Sequence, residues 1–313
     1  MSLRPIQGWR GLEPGERGAS VALGAFDGVH RGHQLVIAHA ARAAQKLGAP
    51  LGVIAFEPHP RRWFKPDAEP FRLMSLAQQE RVMRNLGVER LYLLPFDAEM
   101  AEQGHEEFVR EVLVEGLGVR HVSAGFDVTF GQGRGGNPEL LQGYGAQYGF
   151  GVSIAPPVTG ADGSKCSSSV IRDHLKQGRP HIAAALLGRP FAIEGAVVHG
   201  AKLARKLGFP TANIGLEDYL RPAFGIYASR TRLADGREVP GVSYIGKRPT
   251  VNGVEERLEA HLFDFDEDLY GQTLETDLVA YIRGDVKFDT LEAMTDQIAF
   301  DVASARAILM PAF

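Results

Sequence analysis

Residues Gly24 to His33 read GAFDGVHRGH, with histidines at His30 and His33 and glycines at Gly24, Gly28 and Gly32. Imidazoles beside a helix entrance can stabilise charge developing on an α-phosphate during nucleotidyl transfer, and the unpaired N–H groups of a helix start favour anions. Glycine density, turn position and histidine spacing favour that chemistry over a pair of surface histidines. A metal pair is the weaker option, because two histidines one helical turn apart are an incomplete coordination shell and no other ligand-rich cluster lies nearby.

Three further segments of the first half carry candidate chemistry. Gly131 to Gly136 (GQGRGG) satisfies GxGxxG, yet it comes late, and the step to an acidic strand end expected of a dinucleotide fingerprint lands near Ala155 and Pro156. It reads equally as a flexible loop ending at an Asn137 cap or as a second surface over a nucleotide, and no Walker A sequence is present. Ser167 to Arg172 (SSSVIR) offers hydroxyls and an arginine suited to phosphate oxygens, although serines more often simply cap helices. Phe56 to Pro60 (FEPHP), followed by Trp63 and Phe64, is either an apolar shelf for a planar ring or a stiff strand exit.

In the second half, Thr211 and Asn213 point the same way from a strand-like segment and are hard oxygen donors suited to magnesium, or else belong to a polar loop entering a strand. Leu258 to Phe265 alternates, so Glu259 and His261 share one face and Leu258, Ala260 and Leu262 the other. A carboxylate so placed can orient a primary hydroxyl and accept its proton while a γ-phosphoryl group is transferred. An ordinary solvated strand face is the alternative.

The elements that must position these groups differ between the two halves. Strand-like runs at 21–25, 51–56, 91–96, 121–126 and 152–155 alternate with helical spacing at 32–47, 76–86, 106–115 and 138–148, the pattern of an α/β doubly wound parallel sheet. Asn137 with Pro138 predicts a helix start, as does Ser75 with Gln78. From Phe191 the chain reads as strands at 191–198, 225–233, 239–245, 258–265 and 273–281, with Asp235-Gly236 as a hairpin signal. The tail at 291–309 has helical spacing through Leu291, Met294, Ile298, Val302, Ala305 and Ile308. We therefore expect a sheet domain at 1–182 and a small antiparallel β-barrel with a C-terminal helix at 183–313, joined through 181–188.

With 44% hydrophobic and 23% charged residues and a net charge of -4, the 313-residue chain has the composition of a globular protein without general attraction to nucleic acid or an anionic membrane. A single cysteine, Cys166, excludes an internal disulfide framework and suggests a reducing compartment, so the cytoplasm is expected. No apolar run approaches membrane-spanning length, and the amino terminus lacks a signal core. A monomer or weak oligomer is the expectation.

Taken together, GAFDGVHRGH, FEPHP, GFDVTFG (125–131) and SSSVIR resemble the nucleotidyltransferase half of the prokaryotic bifunctional riboflavin kinase/FAD synthetases. GFPTAN (208–213), the Glu259 strand with Tyr270-Gly271, the Gly246 to Thr250 turn and the 283–288 segment resemble the kinase half. The resemblance implies a chain that uses ATP, with Mg2+, to convert riboflavin to FMN and FMN to FAD. It places ATP against Gly24, Phe26, Asp27, Gly28, His30, His33, Ser168 and Arg172 for adenylation, and against Gly208, Pro210, Thr211 and Asn213 for phosphorylation. It further implies metal ligation by Thr211 and Asn213, flavin contacts from Phe64, Phe108, Asp127 and Phe130, catalytic roles for His30 and His33, and Glu259 as general base. Val128, Ser169 and Asp285 depart from the family's usual aromatic, threonine and glutamate. The rival readings are an adenylyltransferase for another phosphorylated acceptor and a non-catalytic flavin-binding protein.

Overall fold

The computed structural model describes residues 3–161, 163–199, 208–250 and 253–310. By contact the chain divides into two compact units, Met1–Ala68 with Leu76–Ser167, and Glu69–Ser75 with Ser168–Phe313.

In the first unit, strands β1 (Arg4–Gln7), β2 (Ser20–Leu23), β3 (Leu51–Glu57), β4 (Arg90–Pro95), β5 (His121–Gly125) and β6 (Gly151–Ala155) form one sheet in the order β1-β4-β3-β2-β5-β6. Every pairing is parallel. All four residues of β2 are buried, as expected of a strand covered on both faces. From β2 the chain builds outward to β3 and β4 on one side and returns to β5 and β6 on the other. The carboxyl ends of β2 and β5 therefore flank the crevice where such sheets bind ligands. The expected doubly wound sheet is present, with one strand added: β1 buries only Ile6 and so has no readable alternation.

The predicted helices form at Arg31–Leu47, Leu76–Asn85 and Pro138–Tyr148, the last capped by Asn137 Oδ1, which accepts from the Leu140 N–H at 2.9 Å. The helix expected at 106–115 differs. His105–Glu107 is α-helical, but Phe108–Gly116 winds as a π-helix. Its wider turn puts positions i, i+1, i+4 and i+5 on one side, which buries Phe108, Val109, Val112 and Leu113 together.

The second unit is a closed antiparallel barrel of β7 (Phe191–Val198), β8 (Ala212–Gly215), β9 (Gly225–Arg232), β10 (Glu238–Thr250), β11 (Gly253–Leu262) and β12 (Thr273–Gly284), ordered β10-β11-β8-β7-β12-β9. Gly246 to Thr250, expected as a turn, continues β10 in register with β11. Where a linker was expected, Pro180–Leu187 is a helix with proline in its first turn and Gly188 at φ +78° closing it. This helix and Ser168–Lys176 group with the barrel, so the contacts divide at 167/168, whereas the sequence led us to expect a boundary at 182/183. The segment Glu69–Ser75 also belongs to this unit: Arg72 N–H donates to Asp218 O (3.0 Å), and the Ser75 hydroxyl donates to Glu194 Oε1 (3.0 Å).

The tail helix forms at Leu291–Leu309, with only part of the expected face inward. Ala305, Leu309 and Val302 pack on Ala228, Val242 and Phe263, while Leu291 and Ile308 are 56% and 44% exposed. Asp301 is buried against Arg283, with Oδ2 to Nη2 at 2.6 Å. That ion pair joins the apolar contacts on the inward face, a feature that apolar spacing alone could not reveal.

Asp277 on β12 supplies a stability test. Burial pushes its carboxyl up to about 6, with Glu275 adding to the shift and Arg232 opposing it. Its folded value lies above the ordinary 3.8, so the folded state binds the proton more tightly and stability falls as pH rises through that window. Above pH 6 the full penalty, at most about 3 kcal/mol, is present. Asp277→Asn should raise the melting temperature by several degrees at pH 8 and by little at pH 4. Calorimetry at the two pH values checks this, and an equal gain at both would remove the carboxylate as its cause.

Candidate active sites

The chain leaves β2 through a turn in which Phe26 (φ 51°), Gly28 (φ 84°) and Val29 (φ 40°) are left-handed. For Phe26 and Val29 this conformation costs on the order of 1–3 kcal/mol each. Both are fully buried, and the turn is braced: Gln79 Nε2–H donates to Phe26 O at 3.2 Å, and Gln34 Nε2–H to Val29 O at 2.9 Å. Asp27 is buried within the same turn.

His30 caps the following helix, its Nδ1 accepting from the His33 N–H at 3.3 Å. Cys166 Sγ lies 3.6 Å from the same nitrogen. The two imidazoles stack with centroids 3.7 Å apart and planes at 16°, and the Phe26 ring leans on His33 at 5.1 Å. A Cβ at Gly32 would come within 3.1 Å of the His30 ring, so glycine is what lets that ring lie over the helix start. His33 Nδ1 is buried without a hydrogen-bond partner in the protein, a group that a ligand would complete.

Burial, and secondarily the neighbouring His30, hold the His33 imidazole well below its ordinary 6.5. The unfolded chain therefore takes up a proton that the folded chain refuses, and stability should be lost as pH falls below 6.5. The slope should reach up to about 1.4 kcal/mol per pH unit for this group. Urea titrations between pH 5 and 8 test it: His33→Gln should flatten the acid limb, and an unchanged slope would assign the loss elsewhere.

Of the other residues expected with this pair, Ser168 and Arg172 fall on the helix Ser168–Lys176 of the second unit. There Arg172 Nε–H donates to Phe71 O at 2.9 Å, with the guanidinium 5.6 Å over the Phe71 ring. Phe64 is 66% exposed and sits edge-on to Phe96 at 5.7 Å, as does Phe56, so FEPHP feeds an aromatic cluster. Phe108 and Phe130 are instead buried in the sheet core, 6.0 Å apart. Asp127 is exposed and paired with Lys165 at 2.5 Å, and Val128 packs against the core. Gly131 and Gly136 of GQGRGG are explained by close approach, and Gly133 by its left-handed φ of 62°. A Cβ at Gly131 would lie 2.5 Å from His105 Cα, and one at Gly136 2.5 Å from the Phe130 ring.

In the barrel, Glu259 on β11 stands opposite Asn213 on β8 and Tyr244 on β10. Leu258, Ala260 and Leu262 point into the core as the alternation predicts, and Glu259, 8% exposed, lies on the other face. Directly opposed residues bring their Cβ atoms to about 5 Å. Asn213 Oδ1 accepts from Arg257 Nη1 at 3.2 Å, and its Nδ2–H donates to Thr211 O at 3.3 Å. His261 Nδ1–H donates to Pro210 O at 2.8 Å. Pro210, Thr211 and Asn213 line a cavity of about 350 Å³ with Val197, Leu262 and Tyr270. Gly208 enters this segment at φ +90°. Gly200 to Leu207, also part of the sequence signature, lie outside the described residues. Asp285, the departure from the usual glutamate, accepts from the Tyr244 hydroxyl at 3.1 Å.

Sequence reasoning missed Gln79, Cys166 and Arg257. Arg257 was recoverable, since it stands two residues before Glu259 on the same strand face. Gln79 had no such signal, and Cys166 was read only as the single cysteine that excludes a disulfide framework.

A parallel sheet with a helix-capping histidine pair at its reversal point, followed by a barrel presenting a carboxylate opposite an asparagine, defines a two-unit nucleotide-using transferase. A family profile described as FAD synthetase matches residues 13–170, and one described as riboflavin kinase matches 187–309. A bifunctional riboflavin kinase/FMN adenylyltransferase of Pseudomonas fluorescens is 42% identical over 307 residues, 98% of each chain. The protein of that name from Escherichia coli K12 is 38% identical over 291 residues, 93% of each. A crystal structure from Streptococcus pneumoniae, described as a macrolide-efflux protein, superposes with a TM-score of 0.85 at 33% identity, covering 98% of this chain and 99% of that one. The chain belongs to the bifunctional riboflavin kinase/FMN adenylyltransferase family, as the motifs implied. Among the described residues, no helix is long and apolar enough to cross a membrane.

Proposed function

We propose that this chain phosphorylates riboflavin with ATP to give FMN and ADP, through residues 183–313, and adenylates FMN with a second ATP to give FAD and pyrophosphate, through residues 1–182. The observation that carries the flavin reading is Glu259 set opposite Asn213, whose strand together with Thr211 lines a cavity. It supports Glu259 as the base that accepts the proton of the riboflavin primary hydroxyl as that oxygen attacks the γ-phosphorus of ATP. In the sheet unit, His30 and His33 stabilise the charge that develops on the ATP α-phosphate when the FMN phosphate displaces pyrophosphate.

A metal fits the barrel site. Thr211 and Asn213 offer neutral oxygens at a cavity, Asn213 Oδ1 keeps a lone pair beyond its bond from Arg257, and magnesium takes its remaining ligands from phosphates and water. Among the described residues no group of three or more His, Cys, Asp or Glu forms a metal cage. Bound there, Mg2+ would neutralise phosphate charge.

Incubation with riboflavin and magnesium ATP, followed by chromatography, tests the reading. FAD supports both activities, FMN alone reduces the chain to a kinase, and unchanged riboflavin makes it a binder.

A further inference from the structure

The amino end of the sheet carries a cluster of basic groups that neither reaction uses. His39, Arg42 and Lys46 from the helix Arg31–Leu47, Arg120 and His121 at the start of β5, and Ser153 of β6 line a cavity of about 440 Å³. No carboxylate lines it. Its floor is built. His121 is buried, with Nδ1 3.1 Å from Ser20 Oγ and Nε2 2.9 Å from Ser153 Oγ. The Ser20 hydroxyl donates to Ala40 O at 2.8 Å, so Nδ1–H of His121 donates to Ser20, and in the neutral ring Nε2 accepts from Ser153. Burial and His39 lower the pKa of His121, which favours that neutral ring. Gly151 is needed here, since a Cβ would lie 2.9 Å from the ring.

Several exposed arginines elsewhere are matched to carboxylates, among them Arg4 to Glu16, Arg232 to Glu238, Arg237 to Glu267 and Arg306 to Asp264. Among the described residues, Arg42, Lys46 and Arg120 have no such partner. Three uncompensated cations gathered at one cavity of a chain with net charge -4 repel one another, and an anion between them relieves that repulsion. Two guanidinium forks and an ammonium suit phosphate oxygens in particular. We propose that this cavity is a second anion site, one that takes a small, multiply charged phosphate such as pyrophosphate. Lys46 is thirteen residues along the helix from His33, about 20 Å at the helical rise, so the site is separate from the histidine pair.

Calorimetric titration of the full chain with inorganic pyrophosphate, without magnesium and in the His30→Ala/His33→Ala background, tests the proposal. Adding Arg42→Gln, Lys46→Gln and Arg120→Gln should weaken binding by at least about tenfold. Melting curves should show that this variant remains folded. Should it fail to fold, the single Lys46→Gln variant with a histidine-labelled NMR titration of His39 replaces it: pyrophosphate should shift His39 in the unmodified cavity and less in the variant. Equal affinity with and without the three cations overturns the proposal. So does a cavity that binds heparin or anionic vesicles but not pyrophosphate.

Discussion

Glu259→Ala should lower riboflavin phosphorylation by roughly 10²–10⁴-fold while adenylation of supplied FMN stays nearly intact. The size follows from the role: a positioned base removes the proton of the attacking hydroxyl as the bond to phosphorus forms, and without it water must serve. The selectivity follows from place, since Glu259 is on β11 of the barrel and the histidine turn is in the other compact unit. Glu259 is buried opposite Asn213, so removing the side chain also disturbs packing. Glu259→Gln separates the two effects, because it keeps the shape and loses the base. Both variants should be similarly slow, with KM for riboflavin changing much less than kcat. Normal turnover by Glu259→Ala removes the assignment, and rescue by glutamine alone makes the residue structural.

Which parts of this protein were legible beforehand follows from physics. Glu259 was readable because period-two alternation over Leu258 to Leu262 sets its face, and the structure keeps that face. The histidine turn was readable because glycines and a helix start announce it. The left-handed Phe26 and Val29 were not, because large apolar side chains argue against that conformation until a partner such as Gln79 is seen to brace it. The tail helix shows the same limit from another side. Its apolar stripe is partly buried, through Val302 and Ala305, and Asp301 on the same helix is buried against Arg283, a pairing that apolar spacing does not encode. Phe108 and Phe130 had the right residue type for a ring contact, and burial in the sheet core is a property that spacing does not encode.

Replacing both His30 and His33 with alanine should reduce FAD formation by about 10³-fold or more while FMN accumulates from riboflavin. Each imidazole, as a donor placed where phosphate charge develops, is expected to contribute on the order of 10²-fold. The effects should not multiply fully, because the rings stack at 3.7 Å and share one ligand. His30 also caps its helix through Nδ1, and losing a cap costs about 1 kcal/mol of stability. His30→Asn isolates that contribution, since asparagine keeps a capping oxygen and lacks the ring. If His30 acts on phosphate, His30→Asn should melt like the unmodified protein and still make FAD slowly. Full FAD synthesis by His30→Asn would reduce His30 to a cap. Loss of FMN production in the double variant would point to collapse of the chain, and unimpaired FAD production would remove the histidine pair from the adenylation step.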